Sequence, residues 1–171
     1  GVLEPSRPSG PVLDAGDYRA GDDAVERFRE LLRIPTVSRD NKSLRDDEPF
    51  RRWVPTLRRL FPRFFEVTEL TTIDDFGMLL RWPGADPSLD PVVMMAHQDV
   101  LPVDGQEWAH DPFGAEIIDG EIWARGTLDT KCIASAFFEA AEHLVGQGYV
   151  PPRDVWFFSS DGEEVAAPTC A

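Results

Sequence analysis

Cysteine, histidine and positive charge are all scarce in this chain. The two cysteines, Cys132 and Cys170, make neither a disulfide framework nor a CxxC metal or redox motif. That economy fits a reducing cytoplasm, which is the expected compartment. Only 17 lysines and arginines face 31 acids, giving a net charge of −14. This balance argues against nucleic-acid partners and against anionic membrane surfaces. No apolar run approaches the roughly 18 residues of a membrane span. Residues 1–8 show no apolar signal-peptide core. Gly120, Gly126 and Gly162 form no phosphate-binding loop, and Ser159 and Ser160 lack the context of a nucleophile elbow. What is present is a globular composition, 171 residues with 42% hydrophobic and 28% charged, enough for one ordinary core.

Residues 1–22, rich in Pro, Gly and Asp, are expected to form an arm on a surface, and 23–171 to form one unit. Val25, Phe28, Leu31 and Leu32 recur at helical spacing and predict a helix over 24–32, capped by Asp22 or Asp23. A charged loop is expected over 39–48. A second amphipathic helix is expected from Pro49 to Phe61, with Phe50, Trp53, Leu57 and Leu60 on one side and Pro55 as a kink or a delayed start. Strands are expected over 64–70 and 77–82. Pro91 to Ala96 is apolar without alternation, which predicts a central strand covered on both faces. Asp119-Gly120 predicts a type I′ hairpin between Glu116 and Trp123. Asp129 to Gln147 predicts a long helix with an inner stripe of Ile133, Phe137, Ala140, Ala141 and Leu144, and Val155 to Ser159 another buried strand. Strand, long helix, strand is a βαβ unit. The expected fold is therefore α/β, a mostly parallel sheet sandwiched by helices.

The chemistry-bearing residues follow predicted strand or loop ends. His97-Gln98-Asp99 succeeds one apolar run and Glu163-Glu164 another, while Asp129 opens the long helix. In open α/β sheets, sites gather at the carboxyl ends of strands. His97 can ligate a metal, and Asp99, two residues on, is placed to orient its ring. Asp129 can bridge two cations with its two oxygens. Glu163 and Glu164 point apart, so one can bind metal while the other reaches a water as general base. Each element also has a plainer reading. A lone HxD is commonly a surface polar pair, Asp129 could be a helix N-cap, and paired glutamates are commonly solvated. In combination, in order and at strand ends, the metal-site reading prevails. His110 and His143, in a loop and on an exposed helix face, are weaker candidates; Cys132 reads as a small hydrophobe. Trp108, Pro112 and Phe113 read as a rim or as loop packing.

The run Ala96 to Val103, then Trp108, Pro112 and Phe113, then Trp123-Ala124-Arg125-Gly126-Thr127-Leu128-Asp129-Thr130-Lys131, then Asp161 to Val165, resembles the co-catalytic zinc metallopeptidases. These include aminoacylase, carboxypeptidase and desuccinylase relatives, and the wording is closest to the carboxypeptidase S-like branch. Leu32 to Ser38 matches that branch as well. The resemblance covers roughly residues 22–165. It implies a partial zinc-exopeptidase-like catalytic domain that hydrolyses peptide or N-acyl amino-acid amide bonds. His97 and Glu164 would each bind one metal, Asp129 would bridge both, Asp99 would orient His97, and Glu163 would be general base and proton shuttle. The bond between Asp129 and Thr130 would be cis. The metals would be two zinc ions, or manganese or cobalt in their place, the substrate a small peptide or N-acyl amino acid, and the full enzyme a homodimer. Members of the family are about twice as long and add a later acid, a later His and a lid or dimerisation domain. The chain is therefore expected to be truncated, short of ligands and inactive by itself. An N-acyl amino-acid deacylase is the alternative within the family, and a non-catalytic fragment or binding module the alternative outside it.

Overall fold

The computed structural model describes residues 20–165; nearly all of the expected arm lies outside them. The first helix, α1 (Asp22–Leu32), starts two residues earlier than the apolar pattern predicts. Gly21 occupies its N-cap position, and Asp22 and Asp23 instead place negative charge in the first turn, where the helix dipole favours it. The charged loop carries a short 3₁₀ turn, Lys42–Leu44, capped by the side chain of Asn41. Helix α2 (Glu48–Leu60) turns Phe50, Trp53 and Leu57 into the core. Pro55 sits inside it on the exposed side, where only its own missing N–H and the carbonyl of Arg51 are affected.

The strand expected over 64–70 is replaced at its start by a short helix, α3 (Pro62–Glu66). Its cap is remote in sequence. The Glu142 carboxylate accepts hydrogen bonds from the Arg63 and Phe64 backbone N–H groups at 3.2 and 2.8 Å. Strand β1 (Glu69–Ile73) then pairs with β2 (Gly77–Trp82), the second strand lying where the pattern puts it. After β3 (Val92–His97) comes the hairpin of β4 (Glu116–Ile118) and β5 (Glu121–Trp123). Asp119 and Gly120 both have positive φ, 52° and 85°, as a type I′ turn demands. Helix α4 (Lys131–Gly146) and β6 (Val155–Ser160) complete the order.

The main sheet runs β1-β2-β6-β3. It is mixed rather than mostly parallel. β3 and β6 are parallel, as the β3-α4-β6 unit requires, whereas β1–β2 and β2–β6 are antiparallel. The buried core draws on all four helices and on one face of the sheet, through Met78, Leu80, Trp82 and Phe157. Phe64 ties α3 to the sheet and to α4, with aromatic contacts to Trp82, Phe137 and Phe138 at centroid distances of 5.4–5.8 Å. The inner stripe of α4 is Ala134, Phe137, Phe138 and Ala141; Ile133 and Ala140 face out, because an Ala- and Phe-rich helix offers more than one apolar stripe.

Two expectations fail at β3. It is an edge strand among the described residues, not a central one, and Val93 and Met95 are 59% and 65% exposed. Register puts these two on the sheet face opposite the core, beside half-buried Trp156 and Phe158. Helices therefore cover one face of the described sheet, not both. An apolar run without alternation suits a covered strand, but it carries no mark of what covers it.

Candidate metal centre

Parallel register sets the site. His97, the last residue of β3, lies opposite Ser160, the last residue of β6. The loops that leave both strands therefore emerge at the same sheet edge, which is where such folds collect ligands. One loop is Gln98 to Val100 and the other is Asp161 to Val165, which ends in a 3₁₀ turn, Glu163–Val165. The turn before α4 delivers Asp129 to the same place. Its geometry depends on Gly126 (φ 86°), whose carbonyl accepts a hydrogen bond from the Lys131 N–H at 3.2 Å. The Asp129–Thr130 peptide is cis.

His97, Asp129 and Glu164 each offer a ligand atom, and these atoms lie within 4.8 Å of one another. His97 is almost fully buried. Its Nδ1 lies 2.9 Å from the Asp99 backbone carbonyl and 3.5 Å from Asp99 Oδ1. A carbonyl can only accept, so Nδ1 carries the proton and Nε2 faces the opening. There Nε2 meets Asp129 Oδ1 at 3.0 Å and Glu163 Oε2 at 3.7 Å.

Asp99 lies beneath this cluster and is completely buried. Its two carboxylate oxygens accept the backbone N–H groups of Glu163 and Glu164, both at 3.1 Å. One residue thus braces the imidazole on one side and the glutamate pair on the other. Burial pushes the Asp99 carboxyl up, but hydrogen bonds from His97, Ser38 and the two glutamate N–H groups outweigh it and hold the group below the usual carboxylate range. Burial likewise pushes His97 down, and the hydrogen bonds and charge of Asp99, with Asp129, reverse this and lift it to about 9. Glu164 is raised, first by burial and then by the Asp129, Asp99 and Glu163 charges.

Several supporting residues have roles that their sequence positions do not announce. Thr36 donates its hydroxyl to the Gln98 carbonyl, and the Val100 N–H donates to the Thr36 carbonyl at 2.9 Å, which ties the loop after β3 to the segment after α1. Arg45, 6% exposed in its side chain, stacks on Phe50 and Phe76 and pairs with Asp161 at 3.2 Å. Lys131 is fully buried, which pushes its ammonium down to about 7 against the pull of the Asp99 charge. A lysine or arginine in a sequence reads as solvent-facing, so the burial of Arg45 and Lys131 was not legible there.

A cleft of about 610 Å³ opens beside Asp129 and Glu164, walled by Leu101, Trp108, Ile122, Trp123 and Leu128. Arg125 lines it too, its guanidinium 5.0 Å from the Trp108 ring centre. Of the weaker candidates, Trp108 reaches this cleft, and His110 packs edge-on against Trp123 at 5.0 Å. Cys132 is half-buried, with its Sγ 3.1 Å from the Leu128 carbonyl.

Residues 93–170 match the model of peptidase family M20/M25/M40. The chain is 35% identical over 143 residues to carboxypeptidase S of Saccharomyces cerevisiae, covering 77% of this chain and 25% of that protein. It is 32% identical over 144 residues to an N-fatty-acyl-amino acid synthase/hydrolase of Danio rerio, covering 82% of this chain and 28% of that protein. Its fold is that of an M20 family metallo-carboxypeptidase from Sulfolobus solfataricus, with a TM-score of 0.67 and 24% identity, covering 85% of this chain and 32% of that one. The chain spans about a quarter of the length of these curated relatives. The HxD strand end, the Asp129 turn and the Glu163-Glu164 loop that meet at one sheet edge all lie within the stretch that matches peptidase family M20/M25/M40.

Proposed function

We propose that this chain is the N-terminal, ligand-bearing part of the catalytic domain of a metal-dependent hydrolase that cleaves peptide or N-acyl amino-acid amide bonds at a chain end. One observation carries the reading. With Nδ1 committed to the Asp99 carbonyl, the His97 Nε2 lone pair points at two carboxylates, and none of the three can donate. Such a cluster wants a cation at its centre. A proton on His97 satisfies it in part; a divalent ion satisfies it fully. One imidazole and several carboxylates suit zinc, with manganese or cobalt in its place.

His97, Asp129 and Glu164 would hold the metal, with Asp129 free to offer its two oxygens to two ions. Since each zinc takes about four ligands, further donors complete the set from outside these three residues. When bound, the ion supplies Lewis-acid polarisation of the scissile carbonyl and of the attacking water. Asp99 fixes the imidazole tautomer and, through its two N–H contacts, the position of the glutamate loop. Glu163, 55% exposed in its side chain, is the acid–base group. It takes the proton from the attacking water and passes it to the leaving amine. The cytoplasm is the proposed compartment, on cysteine usage, and a homodimer the proposed state of the longer enzyme.

The apolar cleft favours a second reading within the same chemistry, an N-acyl amino-acid deacylase whose acyl chain lies against Trp108 and Trp123. The Danio rerio relative named for N-fatty-acyl amino acids supports it. Hydrolysis of dipeptides and of N-acyl amino acids, assayed with added Zn²⁺ on this chain and on any longer form that carries it, separates the two. Glu163→Gln is expected to abolish turnover of either substrate while bound zinc persists. Unchanged turnover would remove Glu163 from the base role. Zinc uptake without hydrolysis in the longer form would favour a non-catalytic binding module.

A further inference from the structure

Lys131 is the one described lysine or arginine that is completely buried, and among the described residues no carboxylate forms an ion pair with it. Its Nζ donates to the backbone carbonyls of Leu31 and Ile34 at 3.2 and 2.7 Å, 5.1 Å from the centre of the Trp53 ring. These carbonyls belong to the end of α1 and the segment just after it. That same segment continues into Thr36 and Ser38, which hold Gln98 and Val100 on either side of Asp99. At its other end Lys131 closes the Gly126 turn that presents Asp129. The lysine is therefore a strut between the two halves of the candidate metal centre, the His97–Asp99 loop and the Asp129 turn. Helix α1 and its exit form the surface against which both are registered.

We propose that Lys131 is a positioning residue for the metal centre: its ammonium, clamped by the Leu31 and Ile34 carbonyls, fixes the distance between Asp129 and His97. The inference rests on the metal-centre reading above. Lys131 does not touch the ion or the substrate. The geometry also indicates what stability alone would not select. A buried ammonium touched by carbonyls and a ring, with the Asp99 charge acting from further off, is costly to desolvate, and a buried charge replaced by a well-packed apolar group of similar length is often neutral or stabilising. A lysine serving only the fold is one that methionine can often replace with little loss of stability.

The test uses the full chain, with Co²⁺ as the probe for its visible spectrum. Lys131→Met and Lys131→Gln are compared with the wild type by calorimetric titration, by the absorption of the bound cobalt, and by thermal melting of the metal-free protein. Lys131→Met is expected to melt at or above the wild-type temperature when metal-free, to bind Co²⁺ about 10- to 100-fold more weakly, as loss of an outer partner of a ligand does, and to alter the cobalt spectrum. Lys131→Gln, which keeps an N–H donor for one carbonyl, is expected to fall between the two. Cobalt affinity within twofold of wild type in Lys131→Met overturns the proposal. So does an affinity loss that appears only together with a lowered metal-free melting temperature, since that marks a folding role. Failure of both variants to fold has the same meaning. A wild-type chain that takes up no Co²⁺ overturns the metal-centre reading itself, and the positioning role with it.

Discussion

Asp99 and Asp129 stand on opposite sides of one imidazole and share almost nothing else. Asp99 has no exposed surface, and N–H donors engage both its oxygens. The Asp129 side chain is 77% exposed and meets only the His97 Nε2. A carboxylate whose lone pairs are already spoken for is part of the frame. One that projects into the open beside another acceptor has capacity left over for a ligand. Position relative to His97 thus says little about role; the number of donors already in hand says more.

Removing each acid should reveal the difference. Asp99→Ala leaves two loop N–H groups without a partner in a sealed environment and takes the carboxylate away from the His97 ring, which keeps only the backbone carbonyl on Nδ1. It is expected to destabilise the metal-free protein by about 3–5 kcal/mol. Asp99→Asn sets an amide NH₂ against a backbone N–H donor and is expected to cost about 1–3 kcal/mol. Asp129→Ala should change metal-free stability by about 1 kcal/mol or less, and yet abolish measurable Zn²⁺ binding. Urea melts and calorimetric titrations of the three variants check this. Equal destabilisation at both positions would erase the contrast.

Proton uptake sharpens it further. In the metal-free protein the His97 ring is expected to titrate near pH 9 by NMR, against an ordinary 6.5. The sign follows from the raised value. The imidazolium's contribution to stability is fully present below 6.5 and is lost as pH rises through about 9. A metal must displace that proton, so zinc affinity is expected to rise roughly tenfold per pH unit between 7 and 9, with about one proton released per ion bound. In Asp129→Ala the midpoint should fall, since a hydrogen bond to the charged ring is gone, but by less than in Asp99→Asn, which removes the larger contributor. The reverse order would reassign the charge that holds His97 protonated.

Patterns local to a few residues were readable in the sequence; features fixed by distant partners were not. Gly77–Trp82, the Asp119-Gly120 hairpin and the apolar side of α2 follow from period and turn chemistry alone. The short helix at Pro62 was invisible because its cap, Glu142, lies 78–79 residues away. The inward side of α4 differs from the one its spacing predicts, because alanines and phenylalanines surround the helix. His97, Asp129 and Glu164 could be picked out by residue type and order, and the fold brings them to one point. What lies under them could not, because a buried Lys131 or Arg45 looks like any other surface cation until its carbonyls, rings and acids are in place.

The outer edge of β3 has a consequence for the chain in solution. Val92 to Met95 expose 39–65% of their surface, and no described strand pairs with that side. Such an edge is an open template: its N–H and C=O groups, which no described strand pairs, accept an extended segment, and its valines and methionines reward one that is apolar. Two copies meeting there would extend the sheet across the contact, so this chain is expected to self-associate as its concentration rises. Met95→Lys, a charge on the open face, should shift the sedimentation profile back toward the monomer while leaving the cobalt affinity of the centre as it was. The strand that presents His97 at its end is then also the seam along which the molecule is most ready to accept another polypeptide.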